Sequence, residues 1–318
     1  MPQADSSFSG KAVIIIPCHN RKFFTTGCLR QLKELGILRT LGVIVVDDGS
    51  TDGTAEAVAA DFPEATVLHG DGNLFWTGAM ELGMRHAIAH GAACCVWLND
   101  DLSLGENAIE RVVALALESK SMVTGQGVID QGDKGWWYFP GLFRRKSSIE
   151  TRTLAHDSPA PIPMDTCRGN LVAVPRNVVE KIGYPDGKNV PHVGGDTDFG
   201  LRATAAGIRC LVRLDAMFFE KDTIRDDNRS WLLGKRPIKK IWQSALSKRG
   251  TLYPRMVVVY NLRHWGIRGV GNVLFVYARL VVLSILKALI PRPWLIRLYG
   301  NKSHAYVVYK GSPAESDR

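Results

Sequence analysis

The apolar run Ala12 to Pro17 is short and β-rich, and after it the pattern changes to helical spacing around Phe24 to Leu35. A second run, Val43 to Val46, follows. Ser50, Thr51 and Asp52 then form a capping cluster ahead of a helix-forming segment, residues 66–69 read as a third strand, Thr77 to His90 as a helix, and Ala93 to Leu98 as a fourth strand. Strands alternating with helices predict an α/β fold on a mostly parallel sheet. Between Met122 and Pro163 the pattern becomes short β-prone pieces around Trp136, Trp137, Tyr138 and Phe139, which predicts a β-rich insertion. The alternation returns with a strand over Asn170 to Pro175, a helix over Arg176 to Ile182, a helix from near Asp198 to Gly207, and a strand over residues 209–214.

One stretch, Gly271 to Ile290, has the length of a membrane span. It contains Arg279 and Lys287 and is flanked by Arg268 and Arg292. Internal charges on an apolar helix argue against a simple span and favour an interfacial helix with snorkelling basic side chains; a buried helix of a C-terminal subdomain is the alternative.

Composition narrows the classes. The 318 residues, 46% hydrophobic and 22% charged, exclude disorder throughout, collagen and a multispan membrane protein. Charge is unevenly placed: the chain carries +9, yet Asn228 to Pro313 holds no Asp or Glu and 16 Lys and Arg, which leaves the remainder at −7. A basic section of this kind suits a nucleic acid or an anionic membrane leaflet. Trp231, Trp242, Tyr253, Tyr260 and Trp265 accompany apolar runs rather than a nucleic-acid reader motif, which favours the membrane. Six cysteines without a CxxC pair fit reduced thiols, and the N-terminus shows no apolar signal core, so a cytoplasmic location is expected.

Chemistry concentrates at the predicted strand ends, where open α/β sheets bind ligands. Asp47 and Asp48 follow the second strand and suit a base N–H or ribose hydroxyls, or else cap the next helix. Asn99, Asp100 and Asp101 end the fourth strand; adjacent carboxylates need a cation, and hard oxygen ligands in small number favour Mg²⁺ or Mn²⁺ on a diphosphate. Gly194 and Gly195 precede Asp196 and Asp198, where a helix N-terminus would hold a carboxylate ionised for use as a base, with Asp198 and Arg202 spaced as an i,i+4 pair. Gly72 and Asn73 lead to Trp76, a candidate wall of a nucleotide pocket or a core aromatic.

Taken in order, IIIPCHNR, VVDDGSTDGT, GNLFWTGAM, WLNDD and GGDTDFGLR resemble a family-2 glycosyltransferase of the GT-A fold, similar to bacterial rhamnosyl- and galactofuranosyltransferases of cell-surface glycan assembly. The resemblance runs from about Val13 to Phe219. It implies a Rossmann-like sheet flanked by helices in a catalytic domain (11–225) divided near residue 104 into nucleotide-sugar and acceptor halves; composition and charge add a flexible leader (1–10), a basic helical membrane-associating section (226–310) and a flexible tail (311–318). It assigns Pro17, His19, Arg21, Asp48, Asn73, Trp76 and Asp100 to the nucleotide-sugar, Asp101 and Glu220 to Mg²⁺ or Mn²⁺, and Asp196 to general-base catalysis. Arg168, Asn170 and Gly195, with Trp136 and Trp137 as stacking platforms, fall to the acceptor. The implied reaction is inverting transfer from a UDP- or dTDP-sugar to a polyprenyl-diphosphate-linked glycan at the inner face of the cell membrane. A metal-dependent nucleotidyltransferase shares the strand-end acids, but no Lys-bearing Gly-rich phosphate loop follows the first strand. A non-catalytic nucleotide-sugar-binding relative is the third alternative.

Overall fold

The computed structural model describes residues 7–130, 136–139, 141–154, 160–220, 232, 235–299 and 308–309. Two compact units divide the chain, one comprising 1–130, 138–145 and 149–221, the other 131–137, 146–148 and 222–318.

The first unit begins with β1 (Ala12–Cys18), α1 (Lys22–Glu34), α2 (Ile37–Thr40), β2 (Gly42–Asp47), α3 (Thr54–Asp61), β3 (Thr66–His69), α4 (Phe75–Ala89) and β4 (Cys94–Leu98). It continues with β5 (Leu102–Leu104), α5 (Ala108–Ser119), β6 (Met122–Asp130), then β7 (Trp136–Tyr138) at the border with the second unit. A separate hairpin, β8 (Gly141–Arg144) with β9 (Ile149–Arg152), precedes β10 (Ile162–Met164), β11 (Leu171–Pro175), α6 (Arg176–Ile182), α7 (Gly195–Ala205) and β12 (Cys210–Glu220).

Among the described residues of this unit the sheet runs β10-β12-β6-β11-β4-β1-β2-β3, with β5 paired to β12. Strand β1 shows why it forms at the centre. Its period-2 side chains feed two cores, Ile14 and Ile16 meeting Leu29, Leu32 and Val112, while Val13 and Ile15 meet Met80, Met84 and Phe199. Burying each such side chain contributes about 1.5–3 kcal/mol. Helix α4 can lie on the sheet because residue 83 is glycine: a Cβ there would approach Ile15 Cγ2 to 2.5 Å.

Three departures from the sequence reading matter for the site. The strand over residues 209–214 continues to Glu220 through a bulge between Arg213 and Met217, and its end pairs with β5, placing Glu220 opposite Leu102. Helix α7 starts at Gly195 rather than near Asp198, because Gly194 turns the chain at φ +81°, so Asp196 and Asp198 share its first turn. Strand β11 runs antiparallel to both β4 and β6, since it enters from the insertion rather than from a crossover helix.

The consequence is one crowded edge. β1, β2 and β4 are parallel and end there, and β11 starts there, with Leu171 opposite Leu98.

The second unit holds α8 (Ile238–Leu246), α9 (Pro254–Trp265), α10 (Ile267–Leu289), α11 (Arg292–Tyr299) and β13 (Val308–Tyr309), whose backbone pairs with Trp136 and Trp137 of β7. Helix α10 packs on α9 and α8. Gly269 allows the first of these, since a Cβ there would overlap the Asn261 backbone.

Candidate active site

The loop after β1 reaches across to the ends of β2 and β4. Pro17 pairs with Val46 in the sheet, and the Asp48 amide donates to the Cys18 carbonyl at 2.9 Å. His19 Nδ1 lies 2.6 Å from the Asp48 carbonyl oxygen, which only accepts, so Nδ1 carries the proton and Nε2 accepts from Asn20 at 3.2 Å. The two contacts thereby fix the orientation of the imidazole.

Arg21 meets the strand-end acids. Its Nε donates to both Asp100 oxygens at 2.8 and 3.0 Å, and its terminal nitrogen lies 2.7 Å from Asp100 Oδ1 and 2.9 Å from Asp101 Oδ2. The Thr25 hydroxyl adds a bond to Asp100 at 2.9 Å, and the Phe24 ring lies 4.6 Å below the guanidinium. Burial raises the Asp100 carboxyl, while Arg21 and Thr25 oppose it. A two-pronged contact with a permanent cation keeps Asp100 ionised. The two acids therefore differ: Asp100 is buried and saturated, Asp101 is 46% exposed and held through one oxygen.

Asp48 is placed differently from a free base-binding acid. Its carboxylate accepts from the backbone amides of Gly72, Leu74 and Phe75 at 2.8–3.1 Å, tying the end of β2 to the start of α4. Asp47 accepts from Ser50 N in its own turn. Neither acid caps the next helix, α3: Asp47 closes its own turn and Asp48 caps α4. Asn73 is exposed and bonds within its loop to Asp71.

Trp76 stands in the first turn of α4, half-buried and edge-on to Trp97 at 5.4 Å. Its indole N–H begins a head-to-tail series: Trp76 Nε1 donates to Asn99 Oδ1 (2.9 Å), Asn99 Nδ2 to Asn170 Oδ1 (2.9 Å), and Asn170 Nδ2 to Glu220 Oε1 (2.7 Å). Each amide has one orientation that satisfies both neighbours, so the series fixes four side chains, on α4, just after β4, just before β11 and at the end of β12. Gly169 closes this wall, since a Cβ there would overlap the Trp76 ring and come within 3.2 Å of Asp196 Cβ.

Asp196 sits beside that wall. Its oxygens accept from Gly169 N at 2.9 Å and Thr197 N at 2.7 Å, and it is half-buried. Burial is the largest influence and raises its carboxyl above the ordinary range; the two amides and the Arg168 charge pull the other way. A carboxylate so raised is a stronger base than a solvated one. Asp198 by contrast is fully buried and paired with Arg202 at 3.0 Å, and Arg202 also donates to the carbonyls of Ile182 and Tyr184. That pair holds α7 to the chain after α6. Gly195 packs on Thr77, where any Cβ would overlap the hydroxyl.

The edge thus gathers Arg21, Asp48, Trp76, Asp100, Asp101, Asn170, Asp196 and Glu220. The side chains of Trp136 and Trp137, named as stacking platforms, lie outside the described residues. Thr25 and Asn99 were not singled out for these contacts by sequence; Asn99 was legible only as part of a strand end.

No group of three His, Cys, Asp or Glu that could hold a metal occurs among the described residues. A cation bridging a diphosphate needs only one or two carboxylates. Asp101 offers one, half exposed, and the β12–β5 register puts Glu220 opposite the residue after it. The donor set fits a hard cation shared with a substrate, and not a closed protein cage.

The family model described as Glycosyl transferase family 2 matches residues 13–177. Among solved structures, GalNAc-T7 with UDP, GalNAc and Mn²⁺ aligns at 12% identity and a TM-score of 0.60, over 92% of this chain and 57% of its own. TarS 1–349 of S. aureus aligns with a TM-score of 0.50 and 14% identity both with UDP and with UDP-GlcNAc, over 66% of this chain and 60% and 58% of the respective solved chains. This chain spans less than two thirds of the length of those chains, and the likeness shows a shared GT-A fold. No curated protein matches the sequence.

Proposed function

The chain belongs to glycosyltransferase family 2, and from that premise we propose that it transfers a hexose or deoxyhexose from a UDP- or dTDP-sugar, with inversion, to a hydroxyl of a lipid-linked glycan in cell-surface polysaccharide synthesis. The observation that carries the reading is Asp196: a carboxylate of raised proton affinity, aimed by two amides, beside an aromatic wall at the carboxyl edge of the sheet. The resemblance to rhamnosyl- and galactofuranosyltransferases supports the sugar class. The UDP and UDP-GlcNAc complexes of TarS and the UDP and Mn²⁺ of GalNAc-T7 support the donor and the metal.

In the reaction Asp196 takes the proton of an acceptor hydroxyl as that oxygen bonds to the anomeric carbon. The bond from that carbon to the diphosphate oxygen breaks, and its electron pair leaves with the nucleoside diphosphate. Asp101 and Glu220 would hold a divalent cation, which supplies charge neutralisation for the leaving diphosphate. Arg21 and Thr25 keep Asp100 in place beside it. Trp76 and Gly169 shape the wall against which donor and base are held. Arg168 lies within the acceptor half and lowers the proton affinity of Asp196.

The test is release of nucleoside diphosphate from a panel of UDP-, dTDP- and GDP-sugars, with membrane lipid extract as acceptor source, with and without Mn²⁺ or Mg²⁺. Turnover of one donor that needs lipid, metal and Asp196 supports the proposal. Turnover of a nucleoside triphosphate alone would instead establish a nucleotidyltransferase. Binding of a nucleotide-sugar without turnover, unchanged in Asp196→Asn, would establish a non-catalytic relative.

A further inference from the structure

Helix α10 is 23 residues long and apolar enough to cross a membrane, yet little of it is buried. Its exposed large side chains follow the helical repeat: Ile267 (86% exposed), Leu274 (66%), Val281, Ile285 (51%) and Leu289 (75%) form one line, with Phe275 and Val282 beside it. The stripe extends about 34 Å, the length of the helix. A soluble surface rarely leaves an apolar strip of that size uncovered.

The opposite face is tied down along its whole length by polar contacts. Asn272 donates to Asn261 at 3.0 Å, Tyr277 to the Leu252 carbonyl at 3.1 Å, Trp242 to Ser284 at 2.8 Å, and Lys287 to the Leu232 carbonyl at 3.4 Å. Those partners lie on or beside α8 and α9, which expose Lys239, Lys240, Arg255 and Arg263. A helix crossing a bilayer would drag this polar and basic flank into hydrocarbon. A helix lying in the plane of the interface would not.

We propose that α10 is a monotopic anchor: it lies flat on an anionic lipid leaflet, its stripe sunk to the headgroup–acyl boundary and its α8–α9 side facing water. Charge selects that occupant over a second copy of the chain. Asn228 to Pro313 has no acidic residue, so two copies face each other with like charge, whereas an anionic leaflet is complementary. Arg268 and Arg279 stand at one edge of the stripe by the helical repeat, where long basic side chains reach phosphates while their stems stay apolar. Trp294 of α11, 60% exposed between Arg292 and Arg297, extends the same character. The inference concerns the second unit alone and does not depend on the transferase reading.

The experiment uses the full chain with vesicles of phosphatidylcholine alone or in equal mixture with phosphatidylglycerol. Flotation is expected with the mixed vesicles, and Leu274→Asp/Phe275→Asp is expected to lower the bound fraction at least tenfold. Phe23→Ser, at an exposed aromatic of the first unit, is expected to leave it unchanged. Orientation is read from a fluorophore on Leu274→Cys or Leu289→Cys, which label selectively because all six native cysteines are buried. Equal quenching of both positions by depth-graded lipid quenchers supports the in-plane anchor. Quenching at very different depths would establish a span, and failure to float, or stripe-dependent self-association without lipid, would remove the membrane from the account. Donor turnover by the Leu274→Asp/Phe275→Asp protein separates this failure from failure of the enzyme reading, because the stripe is remote in sequence from every residue assigned to chemistry.

Discussion

Asp196, half-buried, and Asp100, buried, both have carboxyls of raised proton affinity, yet their surroundings predict opposite consequences. Asp196 meets two amides and the charge of Arg168 without a direct ion pair of its own among the described residues, so it can exchange a proton; Asp196→Asn is expected to lower turnover by on the order of 10²–10⁴-fold with little change in melting temperature. Arg168 stabilises the ionised form of Asp196, so Arg168→Gln should make the carboxyl hold its proton to higher pH. The acid limb of the kcat/KM profile is then expected to move upward, and Arg168→Lys to restore it. Asp100 is instead closed by Arg21, and Arg21→Met leaves a buried charge without its partner. The loss is expected to be about 3 kcal/mol, toward the lower end of such cases because Arg21 is a third exposed. Without Arg21 the folded-state proton affinity of Asp100 rises further above its unfolded value. The deficit should therefore be small where Asp100 is protonated and grow as pH rises through the folded-state pKa. Urea unfolding of wild type and variant across that range measures it.

At the scale of elements the site depends on how α4, β11 and α7 approach one another. Gly169, at the entry to β11, lets the Trp76 ring and Asp196 come together, and Gly169→Ala forces the ring aside. A displacement of about 1 Å costs on the order of 10²-fold in rate, so turnover should fall that far while the Trp76–Asn99 bond is lost. Trp76→Phe in the same background shortens the ring and is expected to recover part of the loss, a coupling that a double-mutant cycle would read as non-additive. The elements themselves were legible: the apolar run of β1, the alternation of strands and helices and the i,i+4 Asp198–Arg202 pair all have local signatures. The strand-end position of the acids followed from the alternation alone. What escaped was whatever depends on pairing across the sheet. The extension of β12 to Glu220, the partnership of Asp100 with Thr25 and the amide series through Asn99 join residues 23 to 75 positions apart, or arise from a bulge, and no local pattern encodes them. Asp48 shows the same limit, since a carboxylate just after β2 that caps α4 reads in sequence only as a turn.

The whole molecule carries its charge in two blocks, −7 outside and +16 within the acid-free section. That division predicts two salt dependences in one protein. Attraction of the basic section to an anionic leaflet acts over a Debye length, about 10 Å at 0.1 M salt and about 3 Å at 1 M. Transfer to an acceptor in anionic vesicles should thus fall steeply as salt rises across that range. Transfer to a short-chain, water-soluble acceptor should fall far less, because Arg21, Asp100 and Asp196 are paired or partly buried and screened only weakly. The ratio of the two rates is the informative quantity, since it cancels any effect of salt on donor binding or on the base. A ratio that declines with salt in the wild type and is already low and flat in Leu274→Asp/Phe275→Asp would place the basic section and the apolar stripe in a single membrane-binding step. A ratio independent of salt would mean that the charge asymmetry serves something other than the approach to lipid.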